Sequence, residues 1–166
     1  MKVIPFLSVL FLIVFLSYAL AQAEDSVSVA TRNSIIQYRK IFMDAKGLHT
    51  QAIKLLVSKK IGLYSQIVTH AEALNKMAED MPHLFPPGSQ GADSRTLPTI
   101  WNKDGTLSQT FVEQAQIMKQ EAKKMAEIAK TQDMDLIKKQ LREFAANGCR
   151  GCHSLFRGED SEWESM

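Results

Sequence analysis

Residues 106–129, TLSQTFVEQAQIMKQEAKKMAEIA, place Phe111, Ala115, Met118, Ala122, Met125 and Ala129 at steps of 4, 3, 4, 3 and 4. That rhythm puts all six side chains on one face of an α-helix and has none of the two-residue alternation of a half-buried strand. Thr106 with Gln109 has the form of a capping box at the start of the run. The helix carries a narrow apolar stripe, which has to be buried against partners.

The same rhythm continues on both sides. From about Ile61 to Met81, Tyr64, Ile67, Ala71, Leu74, Ala78 and Met81 step by 3, 4, 3, 4 and 3, and Pro82 stops the run. From about Val27 to Val57 apolar residues recur at three and four; Ile36, Met43 and Gly47 fall near one stripe, with Arg39 a turn before Met43 on the same face. Asp133 is a suitable N-cap for a last helix, in which Ile137, Leu141, Phe144, Gly148, Cys152 and Leu155 step by 4, 3, 4, 4 and 3. Residues 82–105 hold Pro82, Pro86, Pro87, Pro98, Gly88, Gly91 and Gly105 and make a long connection. Such a loop either serves the site or only carries the chain from one end of the fold to the other. Four amphipathic segments with two short connections and one long one predict an all-α fold, an antiparallel four-helix bundle.

With 166 residues, 45% hydrophobic and 23% charged, and a net charge of +2, the chain has the make-up of one globular domain and not of a disordered one. The charge balance shows no concentrated basic face, which argues against nucleic acid as the main partner. Lys2, the long apolar run after it and Ala21-Gln22-Ala23 before Glu24-Asp25 read as a secretory signal peptide over residues 1–23. The competing reading keeps the segment as a membrane anchor, since its length approaches the ~20 residues that span a bilayer. Residues 24–158 then form the bundle domain and residues 159–166 an acidic tail.

Both cysteines lie in one stretch, 147–156, NGCRGCHSLF, with His153 directly after Cys152. Export favours disulfides, but a loop closed three residues apart is too short to restrain the unfolded chain much. Three chemistries compete for the motif. A redox dithiol sits at a helix N-terminus after a strand, where the helix dipole stabilises the thiolate; here the motif lies at the other end of a helix. Structural zinc needs four ligands, and His49, His70 and His83 stand singly in the sequence. The third is covalent attachment of one haem c: Cys149 and Cys152 add to its two vinyl groups and His153 reaches the iron from the same segment. Export to the compartment where such attachment is made supports this third chemistry.

YRKIFMDAKG in the first helix, LFPPGS and LPTIW in the long connection, and CRGCHSLFR at the end give a chain that resembles the cytochrome c′ family, the class II c-type cytochromes. The resemblance implies a four-helix bundle with haem anchored in the last helix. It also implies that the residue four after a first-helix arginine covers the open face of the iron, which gives Arg39 a place at the cofactor and makes Met43 the sixth ligand, as in low-spin members. A methionine on a helix stripe is otherwise core packing; His49 and His70 are weaker rivals for the same position.

Arg157, one turn after His153, either holds a propionate and tunes the imidazole or is a solvated cation at a helix C-terminus. Trp101 reads as packing. Lys119, Lys123, Lys124, Lys130, Lys138 and Lys139 form either a docking surface for an acidic redox partner or ordinary solvated helix faces. The function expected is electron transfer in the bacterial periplasm, between periplasmic or membrane-bound redox proteins and without enzymatic turnover. A five-coordinate protein binding nitric oxide or carbon monoxide is the alternative. Family members often pair through their first two helices, which implies a homodimer here.

Overall fold

The computed structural model describes residues 28–91 and 94–158; the predicted signal peptide and the acidic tail lie outside them. Helix α1 covers Val29–Ser58, α2 Tyr64–Asp80 and α3 Gln109–Ala129. The last rod has three parts that follow without a break: α4, Met134–Glu143, a π-helical segment, Phe144–Arg150, and α5, Gly151–Phe156. Short turns join α1 to α2 and α3 to α4, so neighbours run antiparallel. Helix α2 packs on α1 and α3, and α3 packs on α4 and the π segment. The fold is an antiparallel four-helix bundle.

The stripes explain the packing. Phe111, Ala115, Met118, Ala122, Met125 and Ala129 are all buried, as are Ile67, Ala71, Leu74, Ala78 and Met81. Small residues alternating with larger ones let α2 and α3 approach closely, and Ile67, Ala71, Leu74, Ala78, Met118, Ala122, Met125 and Ala129 form the first core cluster with Ile53, Leu56, Ile137 and Phe144. The Asp133 carboxylate accepts from the Asp135 and Leu136 amides at 2.9 and 3.0 Å, capping α4 as predicted.

Three local expectations are corrected. Helix α3 is capped by Ser108, whose hydroxyl accepts from the Phe111 amide at 3.3 Å. Thr106 is instead turned into the preceding loop, where its hydroxyl and amide donate to the Asp104 carboxylate. Gly47 faces open space and lies off the buried line of α1. Leu155 is 45% exposed and Phe156 takes the core position. The wider π turn shifts the phase of the rod, so Phe144, Gly148, Cys152 and Phe156, all buried, follow at steps of four.

The long connection serves the end of the last rod. Between short 3₁₀ turns at Met81–Leu84 and Pro98–Ile100, it runs antiparallel beside the end of α5: the Leu97 amide donates to the Phe156 carbonyl at 2.9 Å and the Gly158 amide to the Arg95 carbonyl at 2.7 Å. Its inner face carries Leu84, Phe85, Ile100 and Trp101, which close the second core cluster with Met81, Phe111, Ala115, Cys152 and Phe156.

Candidate functional site

The motif stands at the seam between the two clusters. Half-buried Cys149, in the π segment, packs against the first, and buried Cys152, in α5, belongs to the second. Both thiols are free. Helix α3 runs close by: a Cβ on Gly148 would just touch Met118 Cα at 3.4 Å, and one on Gly151 would come within 2.9 Å of the Gln114 amide oxygen, the end of a flexible side chain. Burial pushes both thiol pKa values up, and the Lys46 ammonium opposes it. They are therefore not the activated thiolates of a redox dithiol.

His153 is exposed. Desolvation first, and then the charges of Arg157, Lys46 and Arg95, lower its pKa. The ring is held toward its neutral form, the form that ligates a metal. Arg157 is exposed and pairs through its backbone with Thr96, so its charge lies beside the histidine from the end of the rod.

Met43 is half-buried and packs, with Phe42, against the group that contains Cys152. The bundle thus brings a thioether from α1 and Cys152 of α5 onto one cluster. Arg39, 4% exposed, is committed to the loop: Nε donates to Leu84 O at 3.1 Å, Nη1 to Thr96 Oγ1 at 3.1 Å, and Nη2 to Ser89 O and Oγ at 3.1 and 2.9 Å. The guanidinium also lies 4.3 Å from the centre of the Phe85 ring. Burial lowers its pKa to about 10, which leaves it charged at neutral pH. Arg39 fixes the loop that covers the site.

Trp101 is buried, and its indole N–H donates to Phe85 O at 3.0 Å. Phe85, Trp101, Phe111 and Phe156 form a chain of tilted and edge-on rings. His49 and His70 are paired with each other across α1 and α2, and His83 is exposed. Of the lysines, Lys119 meets Glu79 at 3.3 Å, Lys130 meets Glu72 at 3.6 Å and Lys123 meets Glu127 at 4.0 Å.

Lys46 was not singled out in the sequence. It is 9% exposed, and its amine donates to Met81 Sδ at 3.2 Å. Desolvation lowers its pKa, while the two cysteines act to raise it. A buried cation thus lies within electrostatic reach of both thiols and His153. The signal was a line of sevens: Arg39, Lys46 and Ile53 are all buried on α1.

Two thiols three residues apart, a histidine directly after them held toward its neutral form, and a thioether packed on the cluster that contains Cys152 make a donor set that fits a covalently attached haem.

A family model described as cytochrome c′ matches residues 34–157. A cytochrome c′ of Pararhodospirillum photometricum is 30% identical over 129 residues, which cover 77% of this chain and 99% of that protein. Among solved structures, a nitric oxide complex of a mutant cytochrome c prime from Alcaligenes xylosoxidans is similar with a TM-score of 0.67 and 20% identity, over 80% of this chain and 100% of that one. A cytochrome c′ described as having ligand-controlled dimer dissociation is similar with a TM-score of 0.67 and 20% identity, over 81% and 99% of the two chains.

Proposed function

Because the chain belongs to the cytochrome c′ family and so carries one covalent haem c, we propose that it passes single electrons between redox partners, with the iron held between His153 and Met43. In this reading Cys149 and Cys152 are the thioether anchors. When bound, the haem supplies the one-electron ferric–ferrous couple. The chain's own residues set the conditions for it. A neutral, soft thioether favours ferrous iron and raises the reduction potential. The buried Lys46 cation acts in the same direction, because it opposes the extra positive charge of the ferric state. Phe85, Trp101, Phe111 and Phe156 keep water from the cluster.

The observation that carries the reading is Met43, a half-buried thioether on the cluster that contains Cys152. The alternative, gas binding on a five-coordinate iron, draws on the nitric oxide complex of the A. xylosoxidans protein. Carbon monoxide added to the reduced haem protein separates the two. Slow binding, limited by departure of Met43 and made fast in Met43→Ala, is the expected result; equally fast binding in both proteins would overturn electron transfer through a six-coordinate iron.

The proposed location is the bacterial periplasm, reached through the leader at residues 1–23, with periplasmic or membrane-bound redox proteins as donor and acceptor; the surface lysines Lys124, Lys138 and Lys139 offer a face to an acidic one. No helix among the described residues is long and apolar enough to cross a membrane. Tyr38, Ile41, Leu48 and Leu55 form an exposed apolar line on α1, each at least 55% exposed. A second copy packed along α1 would cover it.

A further inference from the structure

Away from the thiols, two half-buried histidines meet at the α1–α2 seam. Nδ1 of His49 lies 2.9 Å from Nδ1 of His70, with the rings tilted by 60° and their centroids 5.1 Å apart. A direct hydrogen bond between these atoms requires unlike tautomers, one ring protonated on Nδ1 and the other on Nε2. A shared cation removes that requirement, since both Nδ1 lone pairs then point at one ion. Two imidazole nitrogens bound at about 2.05 Å and at a right angle to each other stand ~2.9 Å apart, whereas a tetrahedral pair stands ~3.3 Å apart. The observed separation is that of a cis pair in a tetragonal or square-planar sphere, the geometry preferred by Cu(II), which also heads the affinity order for nitrogen ligands.

We propose that His49 and His70 form a cis-bis-imidazole site for Cu(II), separate from the haem iron, with water completing the coordination. No group of three or more His, Cys, Asp or Glu side chains is placed to hold a metal among the described residues, so this chain supplies two ligands and the ion is exchangeable. The scaffold is rigid where the two rings are attached. Their neighbours Ile53, Ile67 and Ala71 are fully buried, which fixes the separation of the two helices at this level. His49 is six residues beyond Met43 on α1, about 9 Å along the axis.

The test uses the purified haem-loaded protein titrated with copper sulfate and read by electron paramagnetic resonance. One Cu(II) per chain is expected, with splitting from two equivalent nitrogens. His49→Gln and His70→Gln, on different helices, should each weaken binding at least about tenfold and reduce the pattern to one nitrogen; His83→Gln should change neither. An unchanged haem spectrum and unchanged helicity in the variants show that the fold is intact. Copper bound with unaltered affinity in either variant, or with no two-nitrogen pattern in the parent, would overturn the site and leave the pair as a hydrogen bond alone.

Discussion

The two halves of the core are built by different rules. The first cluster is regular: α1 to α4 contribute Ile53, Ile67, Ala71, Leu74, Met118, Ala122, Met125 and Ile137 at helical spacing. The second is assembled from irregular pieces, with Leu84 and Phe85 at the start of the loop, Ile100 and Trp101 further along it, and Cys152 and Phe156 after a π turn. The regular half holds the helices together. The irregular half holds Cys152 with Met43 packed against it, and Arg39 and the edge pairing of residues 95–97 with the end of α5 keep it in place.

Matched truncations break the comparison most sharply. Phe144→Ala in the regular half and Phe111→Ala in the irregular half should each cost about 3–5 kcal/mol in denaturant unfolding. Only Phe111→Ala is expected to alter the optical spectrum. Next in size is Arg39→Met, which leaves the buried carbonyls of Leu84 and Ser89 without their donor and should cost roughly 2–4 kcal/mol. Hydrogen exchange should then rise over residues 84–97 and stay unchanged in α2 and α3.

A smaller effect separates the caps. Ser108→Ala should cost about 1 kcal/mol in thermal unfolding, and Thr106→Ala distinctly less. The smallest is a matter of charge. Lys46 has a lowered pKa, so between that value and the ordinary lysine value the unfolded chain binds the extra proton and stability rises with pH. Lys46→Met should flatten that slope, raise stability at neutral pH by removing a desolvated charge, and lower the reduction potential by roughly tens of millivolts, read by redox titration.

This division also explains what the sequence made legible. The buried faces of α2 and α3 follow from periodicity because a regular helix converts spacing directly into direction. Asp133 is readable as a cap because its carboxylate is free to accept from the first amides of the helix; Thr106 is not, because its hydroxyl is held in the loop, donating to Asp104 and accepting from Asn102. Phe156 in place of Leu155 was missed because a π turn changes the phase, although two successive steps of four across Gly148 and Cys152 were its trace. Lys46 was passed over because a lysine is ordinarily solvated, and the pairing of His49 with His70 depends on the register of two helices that no single stripe contains. The anchoring cysteines and His153 form a local motif and were readable at once; the loop's grip on Arg39 arises only when residues some fifty apart meet.

Whether Met43 completes the iron's coordination is tested most directly by the optical and magnetic circular dichroism spectra of the ferric haem protein beside Met43→Ala. The parent is expected to be low-spin with the weak long-wavelength band of methionine-to-iron charge transfer, and the variant to be high-spin. A high-spin parent, or a variant with the parent's spectrum, would contradict Met43 as the sixth ligand.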